Sequence, residues 1–184
     1  IPLFTGACPW VFNLLEKEVL NYSDGRIVML GNVLAIGSLA GFYLGGKMVD
    51  RFGTKPVFLL CHFGFALSLF IFILRDFIPL LPTFAVITVA TAFFGMVKAA
   101  SSISVTSEML ALVPLENKSL STAFCMSLFT AGIALSATIS GQIINLKILN
   151  PTWRLFGATM SQYDTLLLGC AMMVVFMVVT LGLI

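Results

Sequence analysis

Charge is scarce in this sequence. Charged side chains make up only 10% of the 184 residues, whereas 59% are hydrophobic. A soluble domain carries about 25% charged residues, so this chain has too little polar surface to cover a globule in water. The sequence therefore predicts an integral membrane protein whose surroundings are a lipid bilayer. A net charge of +2, without a basic patch interleaved with aromatic residues, gives no indication of nucleic-acid binding.

The side chains from which metal and catalytic sites are built are also few. The chain has one histidine, His62, and four cysteines that lie singly in apolar runs. No pair has metal or redox spacing, so we interpret the cysteines as buried thiols and expect no metal and no other cofactor. An intramembrane enzyme would need convergent carboxylates, a histidine pair or a nucleophile with its base. The sequence shows no such set, and we predict that the protein is not an enzyme.

Long apolar runs, by contrast, are plentiful. They predict an all-α integral membrane protein with five full transmembrane helices and one partial helix, in one bundle covering residues 1–184. We expect helices at approximately residues 1–20, 26–47, 56–74, 80–112, 118–147 and 162–184. A polar loop is expected at 147–161, and no strand alternation is visible. The chain begins at Ile1 with an apolar run already under way, so we expect a piece of a longer protein.

The densest cluster of charge lies between two apolar runs, at Gly46–Lys55. Neither flanking run, Ile27–Gly46 nor Pro56–Leu74, contains Asp, Glu, Lys or Arg, and each can cross ~30 Å of hydrocarbon. We therefore expect these ten residues to turn the chain at a membrane surface. Gly46 and Gly53 suit that turn because glycine tolerates positive φ and ends helices easily.

The spacing G-x3-D-R-x-G-x-K in this turn resembles the signature loop of the major facilitator superfamily of secondary transporters. The matching positions are Gly46, Asp50, Arg51, Gly53 and Lys55. The positions that depart from the family pattern are Met48, Val49 and Thr54, as is ordinary for the looser second copy of the loop. An unrelated cytosolic loop is the alternative, but it explains the bases and not the two glycines or the acid.

Neighbouring segments extend this resemblance. Asp24–Lys55 is similar to the family's outer turn, glycine-rich helix and signature loop, and Glu108–Lys118 is similar to its turn after the tenth helix. The resemblance implies the C-terminal half of such a transporter, helices seven to twelve, with a missing N-terminal half upstream. It also implies secondary active transport of a small solute by alternating access, without naming the substrate. A non-transporting membrane scaffold or assembly subunit is the alternative.

Orientation follows from the resemblance, because the basic residues divide almost equally between the two sides of the predicted bundle. In the family the signature loop is cytosolic. The resemblance therefore implies a plasma (inner) membrane location with the 47–55 loop and the C-terminus in the cytosol.

Lys98 is the principal candidate for contact with substrate, because it lies midway along the predicted fourth helix. An ammonium group near the bilayer centre costs about 2.5–3.5 kcal/mol on insertion scales, so it should face the bundle interior or water. We predict that it binds an anionic substrate group or pairs with an acid of the pathway. Snorkelling, or a structural pair with a carboxylate of the missing half, is the alternative. The other residues assigned to this pathway are Thr91, Phe94, Ser101, Ser102, Asn32, Asn13 and Trp10. His62 lies on a helix that is peripheral in the family, and a proton-relay role is not favoured.

The charged residues near the signature loop predict a latch. Glu108 lies in the last turn of its helix, where the helix dipole disfavours an acid, so Arg51 or Lys55 should hold it. As the resemblance implies, we predict a cytosolic cluster of Asp50, Arg51 and Glu108 that stabilises one conformation. Solvated loop charges without such a role are the alternative.

Two predicted helices carry stripes of small residues, which allow helices to pack closely in lipid. One stripe consists of Gly37, Gly41 and Gly45, and the other of Gly132, Ser136 and Ser140. In the family the helix of the first stripe packs against the missing N-terminal half. Packing within this half is the alternative.

Overall fold

The computed structural model describes residues 2–75, 77, 82–113, 118–155 and 157–182, and it confirms the predicted all-α membrane fold. Within these ranges, five helices are long and apolar enough to cross a membrane. They are α3 (Asp24–Phe52), α4 (Thr54–Leu74), α5 (Thr83–Leu112), α6 (Lys118–Asn145) and α7 (Gln162–Gly182). The predicted boundaries at residues 1, 80 and 184 and the turn at residues 114–117 lie outside the described residues.

The predicted first helix is broken into shorter pieces. It consists of α1 (Pro2–Thr5), α2 (Cys8–Leu14) and a π-helical turn at Leu15–Val19. Gly6 separates α1 from α2 at a point of close approach to α6, where an added Cβ would lie 2.9 Å from the Cα atom of Ile133. The partial span is therefore an interrupted helix whose backbone contacts a neighbouring helix directly.

The signature loop is mostly helical, so the expectation of a ten-residue turn was wrong in extent. Gly46 lies within α3, which continues to Phe52. Gly53 alone leaves the helical conformation, with a φ of 85°, and α4 begins at the next residue. Glycine reaches this positive φ without a Cβ clash, so one residue suffices to separate the two helices.

A β-hairpin occupies part of the region predicted as the loop 147–161, which corrects that expectation. Strands β1 (Thr152–Leu155) and β2 (Ala158–Ser161) are antiparallel neighbours. Trp153 Nε1 donates a 2.8 Å hydrogen bond to Thr165 Oγ1, which fixes the hairpin to the first turn of α7. Strands of four residues are too short for their alternation to stand out in the sequence.

Aromatic rings from α2, α4 and α5 form the centre of the core. Phe12 stacks on Phe72 with ring centroids 4.0 Å apart and meets Phe94 edge-on at 5.0 Å. Phe65 meets the same Phe94 ring at 5.4 Å. Aliphatic residues of α7, including Leu167, complete this core. The packed rings therefore join α2, α4 and α5 in one core.

The glycine stripe of α3 packs against α5, so the structure favours the alternative of packing within this half. A Cβ added at Gly37 would lie 2.1 Å from the Ala92 carbonyl oxygen, and one at Gly41 would lie 2.1 Å from that of Met96. The two backbones are therefore in direct contact, as close packing of helices in lipid allows. Gly45 makes the same kind of contact with Ala100.

The small-residue stripe of α6 also packs inside this half, on α1 and the turn that follows it. Ser136 Oγ accepts a 3.0 Å hydrogen bond from the backbone N–H of Ala7, and both Ser136 and Ser140 are buried. A Cβ at Gly132 would lie 3.2 Å from Pro2 Cβ. The small residues of α6 therefore leave room for the backbone of the broken first helix.

Replacement of Gly41 by Ala should destabilise the protein by about 1–3 kcal/mol, because the new methyl group overlaps the α5 backbone. Gly31→Ala is the matched control on the same helix, since its added Cβ meets no atom within 4 Å. Thermal unfolding in detergent measures the difference. Equal melting temperatures for the two variants would contradict the close α3–α5 contact.

Candidate functional site

A cavity of about 240 Å³ lies among α1, α4, α5, α6 and α7. Its described wall is largely apolar and contains no carboxylate. The polar side chains on that wall are Thr5, His62, Lys98, Ser101 and Ser102. The described part of the cavity thus offers one cation and several hydrogen-bonding groups, and it is suited to an anion more than to a cation.

Lys98 contributes the positive charge of this cavity. Ser101 and Ser102 follow it by three and four residues along α5, so helical geometry places all three side chains on one face. The Lys98 side chain is exposed, and the described residues give its ammonium group neither a hydrogen bond nor an ion pair. The structure thus brings three of the predicted pathway residues together around an uncompensated charge.

The other predicted pathway residues lie elsewhere. Thr91 is buried with no hydrogen-bond partner for Oγ1 among the described residues, and Phe94 belongs to the aromatic core. Neither lines the cavity of Lys98, although Phe94 packs against Phe65, which does. Trp10, Asn13 and Asn32 are exposed and do not line it either, so their contact with substrate stays a prediction.

His62 is a cavity residue that sequence reasoning set aside. Its side chain is fully buried, and Nδ1 lies 2.7 Å from the backbone oxygen of Phe58. Nε2 has no hydrogen-bond partner among the described residues. The signal was present in the sequence, because an ionisable residue within a charge-free span is a functional candidate by itself. The family's peripheral placement of this helix argued against it.

At the signature-loop end of the bundle, Glu108 is held by a residue that was not predicted. It accepts a hydrogen bond from Thr54 Oγ1, the first residue of α4. Asp50, Arg51 and Lys55 are exposed, and no ion pair joins any of them to Glu108 in the described structure. Thr54 takes this role because the α3–α4 break is only one residue long, which brings the start of α4 to the end of α5. The predicted latch is not formed in this conformation.

The opposite end of the bundle contains a buried ion pair that the sequence did not reveal. Arg75 Nη1 donates to Asp164 Oδ1 at 2.6 Å, and Nη2 donates to Oδ2 at 3.1 Å. Each side chain is only 1% exposed. The pair joins the end of α4 to the start of α7, in the fork geometry that makes Arg–carboxylate pairs strong.

Asp164 also caps α7. Ser161 donates to Asp164 Oδ2 from both its backbone N–H, at 2.8 Å, and its Oγ, at 2.7 Å. In return the Asp164 N–H donates to Ser161 Oγ at 3.3 Å. This reciprocal pattern is a capping box, and the spacing Ser-x-x-Asp before an apolar run is the sequence signal for it.

Glu16 is a second buried acid near that end, in the π-helical turn and outside the five spanning helices. It is 1% exposed, and its Oε2 atom has no hydrogen-bond partner among the described residues. Loss of hydration raises the pKa of this carboxyl group from 4.5 to about 7. Its environment therefore favours the protonated form below about pH 7, where an ordinary glutamate is charged.

Replacement of Asp164 by Asn should destabilise the protein by about 3–5 kcal/mol, because it removes the carboxylate that binds the buried Arg75 guanidinium through two hydrogen bonds. Asp24→Asn is the control, since the Lys17–Asp24 pair has side chains 59% and 82% exposed and should matter by less than about 1 kcal/mol. Thermal unfolding of both variants measures the contrast. A similar small loss in both would show that the buried pair contributes little.

Replacement of Glu16 by Gln should make stability less dependent on pH. Because folding raises the pKa of Glu16, the wild-type protein loses stability as pH rises from 4.5 to about 7, and the loss is complete above that range. The variant should therefore gain most in melting temperature above pH 7 and least near pH 4.5. A gain that is equal at both ends of this range would contradict the shifted pKa.

The chain belongs to the Major Facilitator Superfamily, a family of membrane transporters, whose sequence profile matches residues 3–183. This confirms the predicted family, a multi-pass location in the membrane and a role other than that of an enzyme. A Haemophilus influenzae protein named "Putative metabolite transport protein" is 32% identical over 69 residues. The matched region covers 38% of this chain and 17% of that relative, so the chain spans only a small part of its length. No solved structure matches the chain significantly.

Proposed function

We propose that the protein acts in secondary active transport of a small solute by alternating access. Family membership supports transport in general, and the name of the Haemophilus influenzae relative points to a metabolite. The direct backbone contact between α3 and α5 would let these two helices move as one unit, which suits this mechanism. The cavity of Lys98 is the proposed site where the solute binds.

The charge of Lys98, which no described residue balances, is the main observation in support of an anionic substrate. Its cavity contains no carboxylate among the described residues, and the remaining wall is mostly apolar. A cation in such surroundings is stabilised most by a ligand of opposite charge, because few other groups can replace its hydration. Ser101 and Ser102 add hydroxyl donors next to the ammonium group. An anionic group of the substrate therefore fits this position.

A second, N-terminal half is part of this proposal. α6 buries only Ser136 and Ser140 in its described part, and large apolar side chains such as Leu120 and Phe124 are 73% and 63% exposed. Lipid or a further helical half can cover such a face, and the small coverage of the relative's length supports a longer transporter. We place the signature loop and the C-terminus in the cytosol and the protein in a plasma (inner) membrane, as in the family.

Replacement of Lys98 by Ala in the complete transporter should reduce uptake of its anionic solute by about 10–100-fold, because a charge-assisted hydrogen bond is lost. Lys98→Arg, which keeps the charge, should lose less. Lys118→Ala is the control, since Lys118 is an exposed lysine at the start of α6. Uptake into proteoliposomes, measured against panels of anionic and neutral solutes, provides the test. Wild-type uptake of anions by a folded Lys98→Ala protein would exclude Lys98 from the site.

A further inference from the structure

We propose that His62 is a specificity-determining residue of the same cavity and that the substrate is a small hydroxycarboxylate. In this arrangement the carboxylate binds Lys98, and a hydroxyl group of the substrate donates a hydrogen bond to His62 Nε2. The inference rests on the proposed anion site at Lys98 and adds the second group that the substrate must carry. The inference follows from three properties of the buried His62 imidazole, which are its tautomer, its neutral charge and the absence of a described hydrogen-bond partner at Nε2.

The hydrogen bond at Nδ1 fixes the tautomer of His62. Nδ1 lies 2.7 Å from the Phe58 carbonyl oxygen, which can only accept a hydrogen bond. Nδ1 must therefore carry the hydrogen, and in the neutral ring Nε2 is left with an acceptor lone pair. The Phe58 ring packs edge-on against the imidazole, with centroids 4.5 Å apart, and restricts its rotation.

The surroundings keep the ring neutral. Lys98 already places one positive charge on the cavity wall, and the described wall has no carboxylate to balance a second. A fully buried imidazolium without a counter-ion would be costly in these apolar surroundings. Nε2 is therefore an acceptor, and it complements the donors supplied by Lys98, Ser101 and Ser102.

The empty acceptor is the observation that points to a ligand. A buried polar atom without a partner costs about 1–3 kcal/mol, and such atoms are few in folded proteins. Nε2 is shielded from the cavity space in this conformation, so the wall must move slightly before a ligand can reach it. A hydroxyl group of a substrate that fills the cavity, with a small movement of the wall, can supply the missing hydrogen bond.

The size and polarity of the cavity limit what carries this hydroxyl. A volume of about 240 Å³ admits a small organic acid. Phe65, Phe129 and Ile133 make the rest of the wall apolar, so they favour a short carbon skeleton over a polyhydroxylated one. His62 Nε2 and the Lys98 ammonium group together select a molecule that carries both a hydrogen-bond donor and an anionic group. A carboxylate without a hydroxyl group lacks the donor.

The experiment compares matched pairs of acids that differ by one hydroxyl group, namely lactate with propionate and malate with succinate. Uptake of each labelled acid by the complete transporter in proteoliposomes is measured for wild type, His62→Phe and His62→Gln. The wild-type protein should prefer the hydroxy acid of at least one pair by about tenfold or more. His62→Phe removes the acceptor and should abolish this preference while it still transports the acid without the hydroxyl. His62→Gln, whose side-chain oxygen can replace Nε2, should retain part of it.

Each outcome separates the two proposals. Uptake of both acids of each pair at equal rates by the wild-type protein would overturn the role of His62 and leave the anion site intact. Preference retained by His62→Phe would do the same. Absence of uptake for all four acids would overturn the hydroxycarboxylate substrate while the anion site is judged by the wider solute panel. Uptake that Lys98→Ala does not change would overturn the anion site and with it this inference. If His62→Phe does not elute as a folded protein on gel filtration, the preference measured for His62→Gln against wild type decides.

Discussion

The cost of placing charge in hydrocarbon is the constraint on which this structure depends. Each ionisable group inside the bundle must have a partner, lose its charge or face a cavity. Arg75 and Asp164 meet the constraint by pairing. The buried Glu16 lies outside the five spanning helices, and there the loss of hydration raises its pKa to about 7. Lys98 meets the constraint by facing a cavity, where the described residues give it no counter-ion. The arrangement of the helices therefore places the charge of Lys98, which has no described counter-ion, at the cavity.

The sequence predicted those features that depend on local composition. Apolar runs predicted the spanning helices, and the glycines and charges of residues 46–55 predicted the family and a chain reversal within that segment, which the structure narrows to Gly53. The mid-helix position of Lys98 predicted its place in a cavity with Ser101 and Ser102. Each prediction depends on residues that are neighbours along one helix, and helical periodicity is enough to relate them.

The features that were missed depend on contacts between distant parts of the chain. Arg75 and Asp164 are 89 residues apart, and no periodicity relates them. The partner of the glycine stripe could be known only once α5 was seen to lie against α3. The sequence does not predict a role for His62, because its helix is peripheral in the family. In the structure, that helix forms part of the cavity wall. The predicted end of α3 near residue 47 is too early, because Gly46 does not end the helix, which continues through the charged residues after it to Phe52.

The single-residue break at Gly53 has a mechanical consequence. α3 is joined along its glycine stripe to α5, and α4 begins one residue after α3 ends, with Thr54 bound to Glu108 on α5. Each of the three helices is thus connected to the other two, which restricts their movement relative to one another. α3, α4 and α5 should therefore tilt as one lever, and a movement that begins at the membrane surface would carry Lys98 and His62 with it at a fixed separation.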